Sequence, residues 1–388
     1  MTRILEAFRS SEQVMLAETM RELLARYLPE ERAAAADAEM RFERETWRAL
    51  GDAGFLGLGI AEELGGSGGG VSELAIVTRE IARVLPSLAV DYVLCGMVGR
   101  TIVEAGGTHL ELIPPMVSGE KIYSYGLSEP GGGSDLLSLQ TRASLVDGAW
   151  SIQGQKLWIS MASESDLIFT LCRTDAPEPG RSRASGLSLI AVPSDQPGVV
   201  SRKVELAIMR AAGTCEVFFD DARAPEDAVV GERGRGLAAL RVTLDVERIM
   251  SAAISLGIGY GALDLALDYT GQREAFGGPI ARFQSVQHPL AESASELVAS
   301  ALLVEHAAAA IDAGLPASQE SAMAKLVTAE AVHRLVDRSA RAMGGMGIAA
   351  EGKMQRYLRD ARLQLFSPVN NELVKSIIAE SLGMPRSY

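Results

Sequence analysis

The chain has 388 residues, 47% hydrophobic and 22% charged, so it can bury a large core and is neither disordered throughout nor collagen-like. At roughly 150 residues per domain it holds about two to three domains. Its 50 acidic and 37 basic residues give a net charge of −13, the wrong sign for non-specific nucleic-acid binding.

The N-terminal stretch places Glu6 and Glu12 among its apolar residues and resembles neither a signal nor a transit peptide. No run of about 18 uninterrupted apolar residues follows, so no membrane span is expected. Cys95, Cys172 and Cys215 are well separated and form no CxxC pair, which suits a reducing compartment and gives no structural zinc site. The chain is expected in the cytoplasm.

Helical spacing of apolar residues predicts a helix over 12–27, stopped by Pro29, and a short one over 46–53. After the glycine-rich break ELGGSGGGV (63–71) come a helix over 72–85, ended by Pro86, and a nearly all-apolar helix over 88–105. From about 118 to 225 short alternating runs predict a small antiparallel β domain, with Asp147-Gly148 as a hairpin turn. Long Ala- and Leu-rich helices over 237–269, 287–313 and 318–343 then predict a bundle. The expected domains are helical (1–117), β (118–226) and a C-terminal helical bundle (227–388).

Three segments carry chemistry. YSYGLSEPGGGSD (123–135) joins a strand to three glycines flanked by hydroxyls, which is either a flexible turn or a loop whose amides cradle a ligand. In helix 237–269, Leu240, Leu244, Glu247, Ser251, Ile254 and Ile258 fall on one face. Glu247 thus interrupts a mostly apolar stripe. It is either a desolvated base or a carboxylate paired with a neighbouring Arg. QREAFGGPIARFQSVQ (272–287) offers an Arg, an aromatic ring and an amide, suited to a dinucleotide or to a solvated helix–helix loop. GRGLAA (234–239) and GMGIAA (345–350) fit GxGxxA but lack a βαβ setting, and read as loops and close helix packing.

In this order the segments resemble the acyl-CoA dehydrogenase family of flavoproteins, from about residue 12 to 383. WRALGDAGFLGLGIAEELGGSG (47–68) is similar to its N-terminal signature, and SEPGGGSD (128–135) to its flavin loop. LWIS (157–160), REAFGGPIARFQSVQ and AMGGMGIAAEGKMQRYLRDAR (342–362) resemble three further signatures. The resemblance implies a helical domain, a β domain, a C-terminal four-helix bundle, one FAD per subunit and a homotetramer. It implies FAD contacts for Tyr125, Leu127, Ser128, Gly133, Ser134, Trp158 and Ser160. Arg273, Phe276 and Gln284 would reach the FAD of a neighbouring subunit. Arg341, Gly345, Asn370 and Glu372 complete the implied cofactor set. Ser134, Arg248, Cys95 and Gly96 are the implied substrate contacts.

Two departures matter: the common base position, and Arg341, where the family often has Gln near the FAD. The family's common catalytic Glu follows its RDA motif, and here that position is Pro368, which cannot take a proton. Members such as isovaleryl-CoA and long-chain enzymes instead carry the base in an LDxER motif, and this chain reads LDVER (244–248). The expected reaction is α,β-dehydrogenation of an acyl-CoA to the trans-2-enoyl-CoA. Glu247 would take the α-proton and flavin N5 the β-hydride, with an electron-transfer flavoprotein as final acceptor. The resemblance also extends to acyl-carrier-protein-linked dehydrogenases, enoyl-CoA reductases of the crotonobetainyl-CoA type and non-dehydrogenase flavoproteins.

Overall fold

The structure is a computed structural model that describes residues 9–177, 180 and 182–386. Residues 1–8, half of the 16-residue stretch tested for targeting character, lie outside the described residues.

The first third is helical. It comprises α1 (Ser11–Tyr27), α2 (Glu30–Glu39), α3 (Arg44–Asp52), α4 (Val71–Val84), α5 (Pro86–Ala105) and α6 (Ile113–Val117). A capping box starts α1: the Ser10 side chain accepts from Gln13 N while the Gln13 side chain accepts from Ser10 N. Pro86 does more than end α4. It occupies the first turn of α5, where a missing N–H costs no helical bond. The sequence analysis did not anticipate α2. Its Ala33–Ala36 run has high helix propensity but no apolar period.

The β domain holds β1 (Tyr123–Gly126), β2 (Arg142–Val146), β3 (Ala149–Ile159), β4 (Leu167–Arg173), β5 (Leu187–Pro193), β6 (Val199–Lys203), β7 (Cys215–Pro225) and β8 (Val229–Val230). They form one sheet in the order β6-β7-β3-β2-β4-β5-β8. The sheet is not wholly antiparallel as expected: β1 adds to β4 in parallel, Tyr125 opposite Phe169. The hairpin turns where expected, with Val146 opposite Ala149 and positive φ at Asp147 (54°) and Gly148 (74°). Ile168, Ile190 and Val217 face a core of the sheet's own, whereas Phe169, Leu171 and Leu189 face the helices.

The chain then returns to helix in α7 (Gly236–Ala239), α8 (Arg241–Gln272), α9 (Gln284–Asp312), α10 (Ser318–Met343), α11 (Lys353–Asp360) and α12 (Asn371–Ser381). Helices α8 and α9 are long and apolar enough to cross a membrane, but 89% of the apolar stretch of α8 is buried inside the fold. Helix α9 contributes Leu290, Leu297 and Val304 to the same core. That core is continuous with the N-terminal helices, so the two helical regions share one interior. Helices α4 and α8 approach so closely that a Cβ at Gly257 would lie 2.3 Å from the Arg79 carbonyl oxygen.

Candidate active site

Glu247 lies on the second turn of α8. The expected apolar stripe is buried at Leu240, Ser251, Ile254 and Ile258, but Leu244 is 43% exposed, so the stripe opens to solvent one turn before Glu247. Glu247 itself is half-buried. Burial pushes its carboxyl up to about 7, against the pull of neighbouring Arg248. Arg248, an expected substrate contact, is buried and donates to Ser318 and Ser321 Oγ at 3.2 Å each and to Asp245. Its Nε and Nη2 are thereby held by protein groups.

Three other elements meet this turn. The Tyr125 hydroxyl on β1 donates to the Met97 carbonyl on α5 at 3.0 Å and contacts Thr101 Oγ1 at 2.5 Å. Burial raises the Tyr125 phenol, with Glu247 adding to the shift, so it remains a neutral donor. Ser251, one turn beyond Glu247, donates to Gln364 Oε1 at 2.6 Å and to the Ser367 carbonyl at 3.3 Å. The 363–371 segment, which holds Pro368, is thereby docked beside Glu247. Asn370 accepts from Leu373 N at 2.8 Å as the cap of α12, and its Nδ2 lies 3.4 Å from Ser134 Oγ.

The glycine loop is held from beneath. Buried Glu129 accepts from Gln140 N at 2.6 Å, Thr141 N at 2.9 Å and Lys156 Nζ at 2.9 Å. Lys156 also donates to the Leu127 carbonyl at 3.1 Å, and Leu157 N to the Ser128 carbonyl at 2.9 Å. Burial favours protonation of Glu129, but Lys156 and the two amides outweigh it and hold the carboxyl below its ordinary range. The sequence analysis missed Glu129 and Lys156. Strand alternation puts Lys156 on the same face as buried Trp150 and Ile152, and that was the available signal.

The residues present fit a flavin. Gly131 and Gly133 border open space, so a ligand can approach their backbone. Trp158, next to last in β3, is left-handed (φ 66°) and 55% exposed, and Phe366 is 56% exposed. Ser160 follows in the turn after β3. Flat aromatic faces beside hydroxyls and open backbone match a cofactor with a planar ring and a polar chain.

Most of the other expected residues are exposed. Arg273, Phe276 and Gln284 are exposed beyond the far end of α8, Phe276 by 90%. At 1.5 Å per residue, Arg273 is about 39 Å along the helix from Glu247. Arg341 is exposed and 3.7 Å from Asp337, and Gly345 borders open space. Glu372 is exposed, 3.6 Å from Lys375. The Cys95 thiol is buried in the core and pushed up to about 12, mainly by that burial, while Gly96 borders open space.

Comparison with known proteins matches the chain throughout. The family models for the acyl-CoA dehydrogenase N-terminal, middle and C-terminal domains match residues 10–120, 124–222 and 234–383. Benzylmalonyl-CoA dehydrogenase of Aromatoleum aromaticum is 35% identical over 356 residues, covering 90% of this chain and 93% of the relative. Acyl-CoA dehydrogenase FadE12 of Mycobacterium tuberculosis is 34% identical over 350 residues, covering 89% of each. The crystal structure of an acyl-CoA dehydrogenase from Geobacillus kaustophilus superimposes with a TM-score of 0.92 at 29% identity, covering 97% of this chain and 99% of that one. The chain belongs to the acyl-CoA dehydrogenase family, FAD-dependent oxidoreductases that act on acyl-CoA thioesters.

Proposed function

We propose that the protein dehydrogenates an acyl-CoA between its α and β carbons, with Glu247 as the base. One observation carries this reading: Glu247 is a carboxylate in a desolvated turn, poised near pH 7 and open on its Leu244 side. A general base works best when its pKa lies near the operating pH. The residue at the family's common base position is Pro368, which has no acid–base group.

When bound, FAD supplies the acceptor for the hydride that leaves the β-carbon. The protein's own groups do the rest. The glycine loop and Trp158 would hold the cofactor ring, and Ser134 and Asn370 its polar end. Glu247 takes the α-proton as the electron pair moves toward the thioester oxygen. The product is the trans-2-enoyl thioester. Tyr125 and Thr101 are hydrogen-bonded to each other and to α5, so they keep that wall neutral.

The FAD contacts of Arg273, Phe276 and Gln284 are proposed to be made in a neighbouring subunit. Their exposure and their distance from Glu247 support a homotetramer. Transfer of electrons to an electron-transfer flavoprotein follows from the family resemblance.

The decisive experiment mixes holoenzyme anaerobically with short, branched, long and cyclic acyl-CoAs and follows the flavin absorbance. Bleaching by one class supports the reading and names the class. A flavin that stays oxidised with every CoA ester overturns it and directs attention to carrier-protein thioesters or the reductive direction.

A further inference from the structure

Lys325 is a buried charge beside the site that the reaction as described does not use. On α10 it stands in the stripe Ala322, Lys325, Ala329, Val332 and is fully buried. Among the described residues no carboxylate lies within ion-pair distance of it. Its ammonium donates instead to the Val369 carbonyl at 2.7 Å and to Asn371 Oδ1 at 2.6 Å. Asn371 Nδ2 in turn donates to Glu330 Oε1 at 2.9 Å. A neutral donor would suffice to staple a loop. Burying a cation is costly, and what it adds is polarisation of the peptide group it touches.

The direction of that polarisation follows from peptide geometry. The Val369–Asn370 bond is trans, so the Asn370 N–H points opposite to the carbonyl that Lys325 holds. Among the described residues the amides of Val369 and Asn370 donate to no protein acceptor, and Pro368 has no N–H. Two contacts frame these amides. Asn370 reaches Ser134 of the glycine loop, and Ser251, one turn from Glu247, holds the Ser367 carbonyl. The segment therefore offers unspent donors between the glycine loop and the Glu247 turn.

We propose that Lys325 is a positioning residue for the reaction: it fixes and polarises the Val369–Asn370 peptide so that the outward Asn370 amide receives the thioester oxygen as the α-proton leaves. The inference rests on the Glu247-based dehydrogenation above. The α C–H bond breaks and its proton goes to Glu247. The electron pair moves onto the thioester oxygen, is held there by the Asn370 amide, and returns to form the C=C bond as the β-hydrogen leaves as hydride to the acceptor that bound FAD would supply.

The charged groups that bear on Lys325 are Glu330 on its own helix and Glu372 on α12. Burial outweighs both and brings the ammonium down to about 8. Glu247 must lose its proton near 7 and Lys325 must keep its own up to about 8. The limiting rate is therefore expected to be bell-shaped in pH.

The test is the limiting rate of flavin bleaching from pH 6 to 10 in holoenzyme, using whichever of butyryl-, isovaleryl- and octanoyl-CoA reacts fastest. Wild type, Lys325→Met and Lys325→Arg are compared. The wild-type rate is expected to fall above pH 8. Lys325→Met is expected to lose roughly 10- to 100-fold in rate, with KM within about threefold and FAD content retained, and to lose the alkaline limb. Lys325→Arg is expected to recover part of the rate and to carry the limb beyond pH 10. A Met variant with full FAD within about twofold of the wild-type rate overturns the proposal. If that variant does not fold, a wild-type rate that stays flat from pH 8 to 10 overturns it alone. A wild type that no CoA ester bleaches removes the dehydrogenase reading, and this inference with it. Bleaching without the alkaline limb removes this inference only.

Discussion

The Glu247 turn of α8 and the 363–371 segment face each other across Ser251, and they are built on opposite principles. The helix turn carries an ionisable group in apolar surroundings and leaves it one charged neighbour, Arg248. The segment has no acid or base at the site but is pinned by Ser251, Lys325 and the Asn370 cap. A helix holds a base at a defined distance because its backbone bonds are satisfied internally. A loop has no such ladder, and here side chains from two helices, Ser251 and Lys325, hold the Ser367 and Val369 carbonyls. On the proposed reading the difference teaches that a base moves from loop to helix while the loop keeps a role as scaffold.

Removing the carboxylate from the helix breaks the comparison most severely. Glu247→Gln is expected to lower anaerobic bleaching by about 10³-fold or more while FAD and acyl-CoA still bind. Bleaching at the wild-type rate would remove Glu247 from the mechanism. Next in size is Lys156→Met under the glycine loop, which leaves Glu129 buried without its cation. A loss of about 3–5 kcal/mol in denaturant melts, with release of FAD, is the expected outcome. Full flavin content at unchanged stability would mean that the pair does not hold the loop.

Ser251→Ala unties the two regions with little change in volume. It is expected to cost about 1–2 kcal/mol and to raise KM for acyl-CoA several-fold more than it lowers kcat. Steady-state kinetics that split the other way would place the effect in the chemical step. The smallest expected effect is on stability. A carboxyl whose folded pKa is raised contributes stability that is complete below its unfolded value and lost as pH rises through the folded value, here about 7. Glu247→Gln removes that loss. Above pH 7 the variant is expected to be about 1–2 kcal/mol more stable than wild type, with no gain at pH 4. Thermal melts at the two pH values read this directly.

Much of the fold was legible in the sequence. The 318–343 helix has the predicted bounds, and Asp147-Gly148 turns the predicted hairpin. Both rest on local chemistry, a helical apolar period and a turn that needs positive φ. Helix α2 escaped because alanines carry propensity without period. The parallel pairing of β1 with β4 escaped because it joins segments more than 40 residues apart, which no local pattern reports.

The site divides the same way. Glu247 was found because a charged residue breaks an apolar stripe, and Lys325 and Lys156 satisfy the same test on α10 and β3. The sequence by itself determined the order of helices, strands and bundle, the family, and the absence of an acid at position 368. Only the tertiary structure decided that Glu247 sits at the mouth of its stripe and that Arg248 bonds Ser318 and Ser321 of α10. It alone showed that Lys325 reaches across to Val369. The physical reason is that composition and period set which face of an element is buried, whereas desolvation and hydrogen-bond partners depend on which distant segments close over it.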